Sequence, residues 1–393
     1  MKGRAEGRAL ILKPGKDKPV RGGHHWIFSG AVKTFPDCAD GEMAPVLGSG
    51  GEHLGYAAIN RRCSIVGRMV SFDETPPLEA VRRSLEAAVS IRERLVAPRT
   101  SGYRLVNSEA DRLPGLIVDR YADVLVLQAH TLGMERLKSF IVELLRELLA
   151  PRSIYERSVS ASRREEGLGP AEGFLYGEEV SDVRIFEDDR LYTVAITDSQ
   201  KTGFFLDQRS MRELVASLAR GLNVLDCFCY TGGFTVAALK GGASHVDAVD
   251  SSERALALAG SNVSLNGFPP AAVSLHRADV FAFLKVSPLD YGLLILDPPA
   301  FAKKKSDVPP ATRGYREINR LAIQKAPPGS LLLTCSCSYF IDPDLFQKII
   351  FQAARETGRR VAVLQRHRMA FDHPINIYHP ETDYLKGLLL SID

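Results

Sequence analysis

The stretch Val224-Leu-Asp-Cys-Phe-Cys-Tyr-Thr-Gly-Gly-Phe234 combines a short apolar strand, a turn with two adjacent glycines and the start of a helix. Adjacent glycines let the backbone approach a ligand closely, because neither residue carries a Cβ atom. Ligands of open α/β sheets bind at the carboxyl ends of the strands, near the point where the strand order reverses. The stretch therefore predicts a ligand-binding turn after the first strand of an α/β domain. It does not have the G-x-G-x-x-G spacing of dinucleotide-binding proteins.

Segments of strand and helix character alternate around this stretch, from about Leu191 to the end of the chain. Apolar runs at Val246–Asp250, Val273–His276, Leu293–Asp297 and Leu331–Thr334 are each followed by a segment with helical character. Alternation at this spacing predicts βαβ units and a mostly parallel, doubly wound sheet. The fold class predicted for this region is α/β.

Two regions of different character precede the α/β region. The first contains short strand-like runs, such as Trp26–Phe28 and Ile65–Val70, broken by glycine and proline, which favours a small β barrel. In the second, apolar residues recur first at helical spacing and later in paired strand-like runs, which predicts an α+β domain. We therefore predict three domains, at residues 1–74, 75–188 and 189–393.

Composition restricts the class of protein. The chain has 393 residues, of which 45% are hydrophobic and 25% charged, as in ordinary globular proteins. It has no apolar run near 18 residues and no signal-peptide pattern, so we expect no membrane span and a cytoplasmic protein with reduced cysteines. The net charge of +3 is small, but residues 1–21 hold seven basic and two acidic residues, a local basic cluster of the kind that binds nucleic acid.

An aspartate stands at the end of each of four consecutive predicted strands. Asp250 can accept both hydroxyls of a ribose, and Asp279 can accept from an adenine amino group while the backbone N–H of Val280 donates to the ring. Asp226 and Asp297 end the first and fourth strands. A single aspartate in this place is often only a helix cap. Four of them, together with the double glycine, favour a cofactor that contains a nucleoside.

The motifs resemble those of a known family when they are taken in chain order. Four of them resemble class I S-adenosylmethionine-dependent methyltransferases: Asp226–Phe234, Val249-Asp-Ser-Ser252, Asp297-Pro-Pro-Ala-Phe301 and Thr334-Cys-Ser-Cys-Ser338. More narrowly, they are similar to the 23S rRNA (cytosine-C5) methyltransferases that carry an N-terminal PUA domain. That family also has counterparts of Gly23–Phe28, Lys201–Arg209, Asp372–Pro374 and Tyr384–Gly387, so the resemblance covers essentially the whole chain.

The resemblance implies a Rossmann-like class I methyltransferase sheet, preceded by a PUA-like barrel and a central α+β domain. It implies S-adenosyl-L-methionine as the cofactor. The positions that correspond to the cofactor site of the family, or that approach the same pocket, are Gln208, Asp226, Phe228, Tyr230, Gly232, Gly233, Asp250, Asp279, Val280 and Asp297. We expect no metal, since Cys227-x-Cys229 and Cys335-x-Cys337 are spaced by one residue rather than the two to four usual for zinc.

The chemistry of cytosine C5 methylation needs a nucleophile on the protein. Pyrimidine C5 becomes reactive only when a thiolate adds to C6, which is covalent catalysis by an activated nucleophile. Strand alternation places Cys335 and Cys337 on the same face and does not choose between them. The resemblance places the nucleophile at Cys337. It also makes Asp297 the natural partner of the N3 and N4 edge of the base, where a carboxyl group can stabilise the charge that develops on addition. The base that removes the C5 proton is unassigned.

The candidate substrate contacts are Lys201, Arg209, Phe301 and Lys303. Phe301 can stack on a flipped base or simply pack in the core, with about equal weight. Lys303 opens a run of three lysines that can hold phosphates, although short charge runs are more often solvated surface. The expected partner is RNA, in particular 23S rRNA. A homodimer is a further candidate assembly, and no membrane partner is expected.

Two other functions compete with cytosine-C5 methylation. An RNA guanine N-methyltransferase can also carry Asp-Pro-Pro followed by an aromatic residue, but it does not need Cys337. A non-catalytic RNA-binding or ribosome-assembly factor could retain the fold without the reaction. A covalent adduct that depends on Cys337 separates the first hypothesis from both alternatives.

Overall fold

The computed structural model describes residues 8–197 and 203–393. These residues form two compact units. The first runs to Val183 and also takes in the segments that begin at Val194 and at Phe371, while the second holds the remaining residues. Within the described ranges, every helix is too short or too polar to cross a membrane.

The first unit begins with a six-stranded sheet that has the spatial order β2-β6-β5-β4-β1-β3. Its strands are β1 (Leu10–Leu12), β2 (Trp26–Phe28), β3 (Val32–Thr34), β4 (Met43–Leu47), β5 (His53–Ile59) and β6 (Ile65–Ser71), with the short helix α1 (Lys18–Arg21) after β1. The strands are short because glycine and proline interrupt the apolar runs, as the sequence predicted. Their inward side chains, among them Leu10, Val46 and Met69, form one buried cluster.

The same unit contains a five-stranded sheet with the order β11-β10-β9-β8-β7. Its elements are α2 (Pro77–Leu95), β7 (Gly102–Asn107), β8 (Leu116–Tyr121), β9 (Val124–Ala129), α3 (Leu132–Leu149), β10 (Ser153–Ser158), α4 (Ser162–Glu165) and β11 (Ala171–Gly177). The expected paired strands are the antiparallel β8 and β9. Helix α3 begins after Thr131, whose side chain caps it by accepting from the Met134 backbone N–H.

The barrel and this second sheet are held together by buried polar contacts. Asn60 donates to Glu166 Oε2 at 2.8 Å, and Arg68 forms an ion pair of 2.8 Å with the other oxygen of that carboxylate. Trp26 Nε1 donates to Glu109 at 2.9 Å. The predicted boundary at 74/75 falls between β6 and α2. The boundary at 188/189 falls in the turn of a hairpin made by β12 (Asp182–Glu187) and β13 (Arg190–Ala195).

The second unit is built on a seven-stranded sheet with the order β16-β15-β14-β17-β18-β20-β19. Its helices are α5 (Arg209–Leu218), α6 (Gly233–Lys240), α7 (Glu253–Leu265), α8 (Val280–Val286), α9 (Val308–Lys325) and α10 (Pro343–Thr357). Its strands are β14 (Asn223–Cys227), β15 (His245–Asp250), β16 (Val273–Arg277), β17 (Leu293–Leu296), β18 (Ser330–Ser336), β19 (Val361–His367) and β20 (Lys386–Ile392).

Five strands of this sheet are parallel, as predicted, and β19 and β20 close one side as an antiparallel pair. The fold is that of a doubly wound α/β sheet. The strand order reverses at β14, because its two neighbours β15 and β17 continue in opposite directions. The carboxyl ends of β14 to β18 therefore meet along one edge, where ligands of such sheets bind.

Candidate active site

The turn after β14 has an unusual backbone. Phe228 and Tyr230 adopt positive φ angles of 63° and 48°, and Gly232 has φ 78° and caps α6. Positive φ is rare for residues with a Cβ atom, so the turn is strained at two positions. A Cβ atom on Gly232 would lie 3.0 Å from the Cβ of Ala259. Glycine is therefore required there both for the backbone conformation and for the close approach of α7.

Asp226 lies behind this turn and braces it. Its side chain is 1% exposed, and Thr235 of α6 donates to Oδ2 at 2.6 Å. Among the residues that the structure describes, Oδ1 has no hydrogen-bond partner. Burial raises the pKa of Asp226 to about 7, although the hydrogen bonds from Thr235 lower it in part. A carboxyl group with this pKa carries a proton for much of the time at neutral pH.

Asp250 ends β15 on the open side of the turn. Its Oδ2 accepts from the Tyr230 backbone N–H at 3.0 Å and its Oδ1 from that of Ser252 at 2.8 Å. The carboxylate is therefore held in one orientation. A carboxylate has about four lone-pair sites, so Asp250 retains acceptor capacity for a diol such as the hydroxyls of a ribose.

Asp279 is exposed and caps α8, since its Oδ1 accepts from the Ala282 backbone N–H at 2.9 Å. The capping interpretation thus holds for this aspartate. Val280 is the first residue of α8, and the N–H groups of a first helical turn have no partner within the helix. The strained turn, the oriented Asp250 and the start of α8 fit the nucleoside of the S-adenosylmethionine implied by the resemblance.

Gln208 and Asp297 are brought together at the end of β17. Gln208 is buried, and its Nε2 donates to Asp297 Oδ1 at 2.7 Å. Asp297 itself is half-buried at the edge where the strands end. The Gln208 side-chain amide therefore fixes the orientation of Asp297, the aspartate that sequence analysis assigned both to the cofactor site and to contact with the base.

Arg209 lies in a buried ion network that sequence analysis missed. Its Nε is 3.6 Å from Glu187 Oε2, and Arg212 forms a second ion pair with the same carboxylate. Burial alone would raise the pKa of Glu187, but Arg212, Arg209 and Arg190 outweigh burial and lower the pKa below its usual value. The network anchors the start of α5, directly after Gln208. A substrate contact by Arg209 stays a prediction.

The two cysteines near the end of β18 have different environments. Cys335 is fully buried, and its Sγ lies 3.4 Å from Met211 Sδ. Burial raises the pKa of the Cys335 thiol well above its usual value. Cys337 lies just past the last strand residue, is partly exposed, and has its Sγ 3.8 Å from the carbonyl oxygen of Pro298. Of the two, only Cys337 is open to a substrate.

Ser338 joins the cysteine segment to the loop after β17. Its hydroxyl oxygen accepts from the Ala302 backbone N–H at 3.1 Å and lies 2.9 Å from the Tyr315 hydroxyl. Phe301 stacks against the ring of Tyr315, with centroids 4.6 Å apart, and belongs to the rim of the buried core. This geometry favours core packing for Phe301, so its stacking on a base stays a prediction.

A second contact missed by sequence analysis links two of the family motifs. The Tyr384 hydroxyl donates to Asp207 Oδ2 at 2.7 Å, across 177 residues of sequence. Asp207 precedes Gln208, so the Tyr384–Gly387 motif supports the segment that orients Asp297. Neither motif alone indicates this contact, because nothing in either stretch specifies the other as a partner.

Two lysines, Lys201 and Lys303, are proposed to contact RNA. Lys303 is exposed, and its backbone N–H donates to Asp307 Oδ2 at 3.1 Å. Its side chain is thus carried by an ordered turn at the same edge of the sheet. Lys201 lies outside the described residues, as do Lys2 and Arg4 of the basic cluster at the start of the chain.

The first unit contains a separate group of metal-ligand types, His24, His379 and Glu381, whose donor atoms lie within 4.8 Å of one another. The Trp26 backbone N–H donates to His24 Nδ1 at 3.2 Å, which leaves the ring proton on Nε2. That nitrogen lies 3.6 Å from Glu381 Oε2. A metal at Nε2 would need it deprotonated, so the geometry favours a histidine–carboxylate contact.

Comparisons with known proteins agree with this geometry. The family model described as S-adenosylmethionine-dependent methyltransferase matches residues 159–374, and a PUA-like domain model matches residues 10–72. The ribosomal RNA large subunit methyltransferase I of Shewanella denitrificans is 39% identical, over 98% of this chain and 99% of that protein. The protein of the same name from Aeromonas hydrophila is 40% identical, over 97% of this chain and 98% of its own length.

Solved structures show the same fold at lower identity. A protein chain from Streptococcus mutans superimposes with a TM-score of 0.83 at 23% identity, covering 98% of this chain and 99% of that chain. At this identity the likeness concerns the fold alone. The fold class predicted from the sequence is confirmed, both for the methyltransferase sheet and for the PUA-like domain at the start of the chain.

Proposed function

The chain belongs to the family of S-adenosylmethionine-dependent methyltransferases, and we propose that it methylates C5 of a cytosine in the 23S rRNA of the large ribosomal subunit. Two relatives that span nearly the whole chain are named for large-subunit rRNA methylation. The choice of cytosine C5 rests on one observation. A partly exposed thiol, that of Cys337, stands at the catalytic edge of the sheet beside the carbonyl of Pro298.

The proposed reaction uses the chain's own groups at each covalent step. The bound S-adenosylmethionine supplies an electrophilic methyl group. The Cys337 thiolate adds to C6 of the cytosine, and the electrons of the C5–C6 double bond become available at C5 for methyl transfer. Loss of the C5 proton then restores the double bond as the C6–S bond breaks, and both electrons of that bond return to sulfur.

Asp297 is the group that we propose to orient the base. Gln208 Nε2 donates to one carboxyl oxygen of Asp297, and the carboxyl group oriented in this way is the one that we propose to meet the N3 and N4 edge of cytosine. A preorganised group at this edge stabilises the charge that forms when the thiolate adds. The lysine run at Lys303 follows the same loop and suits the phosphates that flank the base.

The proposal is tested with 23S rRNA transcripts that contain 5-fluorocytosine. Fluorine at C5 blocks the loss of a proton, so a Cys337–C6 adduct accumulates after methyl transfer and survives denaturing electrophoresis. We expect the adduct with the native chain and with Cys335→Ser, and none with Cys337→Ala. Cys335→Ser is the matched control, because it alters the neighbouring thiol two residues earlier in the chain.

Other outcomes would favour the competing functions. Methylation of rRNA by Cys337→Ala at the normal rate would reject the nucleophile and favour methylation of a guanine nitrogen. Absence of methyl transfer by the native chain to total rRNA, together with unchanged 5-methylcytosine in rRNA after gene deletion, would favour a binding or assembly role.

A further inference from the structure

Lys386 is a buried lysine on β20 at the edge that carries Cys337. It is 3% exposed, and the register of β18 and β20 places it opposite Ser336, one residue before Cys337. Its Nζ donates to the carbonyl oxygen of Ser338 at 2.6 Å and to that of Tyr384 at 2.7 Å. The amine is therefore tied to the residue that follows Cys337, and its position relative to the cysteine segment is fixed.

In the described part of the chain, the Lys386 amine has no carboxylate partner of the kind that usually accompanies a buried lysine. Its side-chain hydrogen bonds in the described structure go to two neutral carbonyl groups. The charged groups that act on it are Cys337 after β18, Asp342 at the start of α10, Arg368 after β19 and Asp383 before β20. Of these, Cys337 has the largest effect. A thiolate at Cys337 favours the ammonium form of Lys386 and raises its pKa in part.

The protonation of Lys386 is finely balanced. Burial lowers its pKa from the usual value of 10.5 to about 8, while the Cys337 thiolate and the two aspartates raise it in part. An ordinary thiol has a pKa of about 8.5. Lys386 therefore holds a proton about as strongly as an ordinary thiol does. A neutral amine that donates both of its N–H bonds to carbonyl groups retains a lone pair, which can accept a proton.

We propose that Lys386 is the positioning residue of the nucleophile, taking the thiol proton of Cys337 and holding the thiolate with the resulting ammonium. This inference rests on the proposed role of Cys337. In the transfer the S–H bond breaks, an N–H bond forms, and both electrons of the S–H bond stay on sulfur. No other reactant is needed. When the C6–S bond breaks at the end of the reaction, the leaving thiolate meets the same ammonium.

The test measures thiolate formation directly rather than methylation. Cys337 is alkylated with iodoacetamide between pH 5.5 and 9.5, and its peptide is quantified by mass spectrometry. The background carries Cys38→Ser and Cys63→Ser, because those two thiols are partly exposed, whereas Cys227, Cys229 and Cys335 are buried. In the otherwise native chain we expect a midpoint about one pH unit or more below the 8.5 of an ordinary thiol. A midpoint at or above 8.5 overturns the proposal without any Lys386 variant.

Substitutions then assign the effect to Lys386. Lys386→Met keeps the aliphatic stem and removes the charge, so the midpoint should rise by about one unit and the alkylation rate at pH 7 should fall about tenfold. Lys386→Arg restores the charge and should restore a low midpoint. Lys348→Met, on the exposed side of α10, is the matched control and should leave the midpoint unchanged. Equal midpoints for the native chain and Lys386→Met would refute the pairing.

The two proposals fail in different ways. If Cys337→Ala still methylates rRNA, the assignment of Cys337 as the nucleophile is wrong. The alkylation midpoint of Cys337 is a separate measurement and does not change with that result. If the 5-fluorocytosine adduct forms normally while Lys386→Met leaves the midpoint unchanged, only the role of Lys386 is rejected.

Discussion

The buried carboxyl group of Asp226 gives the sharpest prediction for stability. Its pKa is about 7 in the folded chain against 3.8 for an ordinary aspartate, chiefly because of burial. Between these two values the folded state holds a proton that the unfolded state has lost. The free energy of unfolding therefore falls as the pH rises through this window, by about 1.4 kcal/mol per pH unit. From pH 5 to pH 8 the loss due to Asp226 amounts to roughly 3 kcal/mol.

Asp226→Asn removes this dependence, because the amide does not titrate and its oxygen can still accept from Thr235. The native chain should therefore lose its advantage in the free energy of unfolding over the variant as the pH rises. The difference between the two should shrink and then either approach zero or change sign in favour of the variant. Taking this difference cancels the contributions of other titrating groups. Thr235→Val should have the opposite effect: it removes a hydrogen bond that lowers the Asp226 pKa, so the window should extend to higher pH.

Hydrogen–deuterium exchange of peptides from β14, Asn223–Cys227, measures this local stability. Amides of a central strand exchange only when the surrounding structure opens, so their protection reports the free energy of that opening. Rates are taken at pH 5, 6, 7 and 8 and corrected for the intrinsic exchange rate at each pH. A difference between the native chain and Asp226→Asn that is the same at pH 5 and pH 8 would show that Asp226 does not titrate in this range.

Three further substitutions test other parts of the site. Arg212→Met should destabilise the second unit by about 3 kcal/mol in chemical unfolding, because it breaks a buried ion pair with Glu187, and a change below 1 kcal/mol would contradict this. Gly232→Ala should lose affinity for S-adenosylmethionine in calorimetry. Gly221→Ala should not, because Gly221 has a similar φ but no atom of the described residues lies within 4 Å of the added Cβ. Lys303→Ala should lower the salt dependence of rRNA binding by about one ion, seen in the slope of log K against log salt, and an unchanged slope would remove Lys303 from the interface.

The parallel part of the sheet could be predicted because each strand is a short apolar run that ends in a polar turn. Helix α7 (Glu253–Leu265) follows β15 directly, as the predicted alternation of strands and helices requires. The antiparallel strands β19 and β20 were not predicted. The stretch Val361–Leu364 is apolar, but β19 is exposed or half-buried along its whole length, so it does not have the two buried faces of an interior parallel strand. The position of β20 depends on its pairing with β18, which no local pattern specifies.

The four aspartates show where sequence reasoning about the site reaches its limit. Each was predicted at the end of a strand, yet the structure gives each a different environment. Asp226 is buried and braces a helix, Asp250 is oriented by two backbone N–H groups, and Asp279 is an exposed cap. Asp297 is held by Gln208. Burial and hydrogen-bond partners, which decide the charge and direction of a carboxyl group, depend on contacts across the fold rather than on neighbours in the chain.

The same limit applies to the cysteines, and it explains why Lys386 was overlooked. Strand alternation puts Cys335 and Cys337 on one face, and only the end of β18 between them separates a buried thiol from an accessible one. Lys386 follows Cys337 by 49 positions and lies beside the cysteine segment only because β20 runs antiparallel to β18. A lysine in an otherwise apolar strand is costly to bury unless a partner repays its desolvation. The hydrogen bonds of the Lys386 amine go to neutral carbonyl groups. Under the proposed pairing, a thiolate at Cys337 offsets part of the desolvation cost of the buried ammonium. The same interaction favours the thiolate, which is the reactive form of the cysteine.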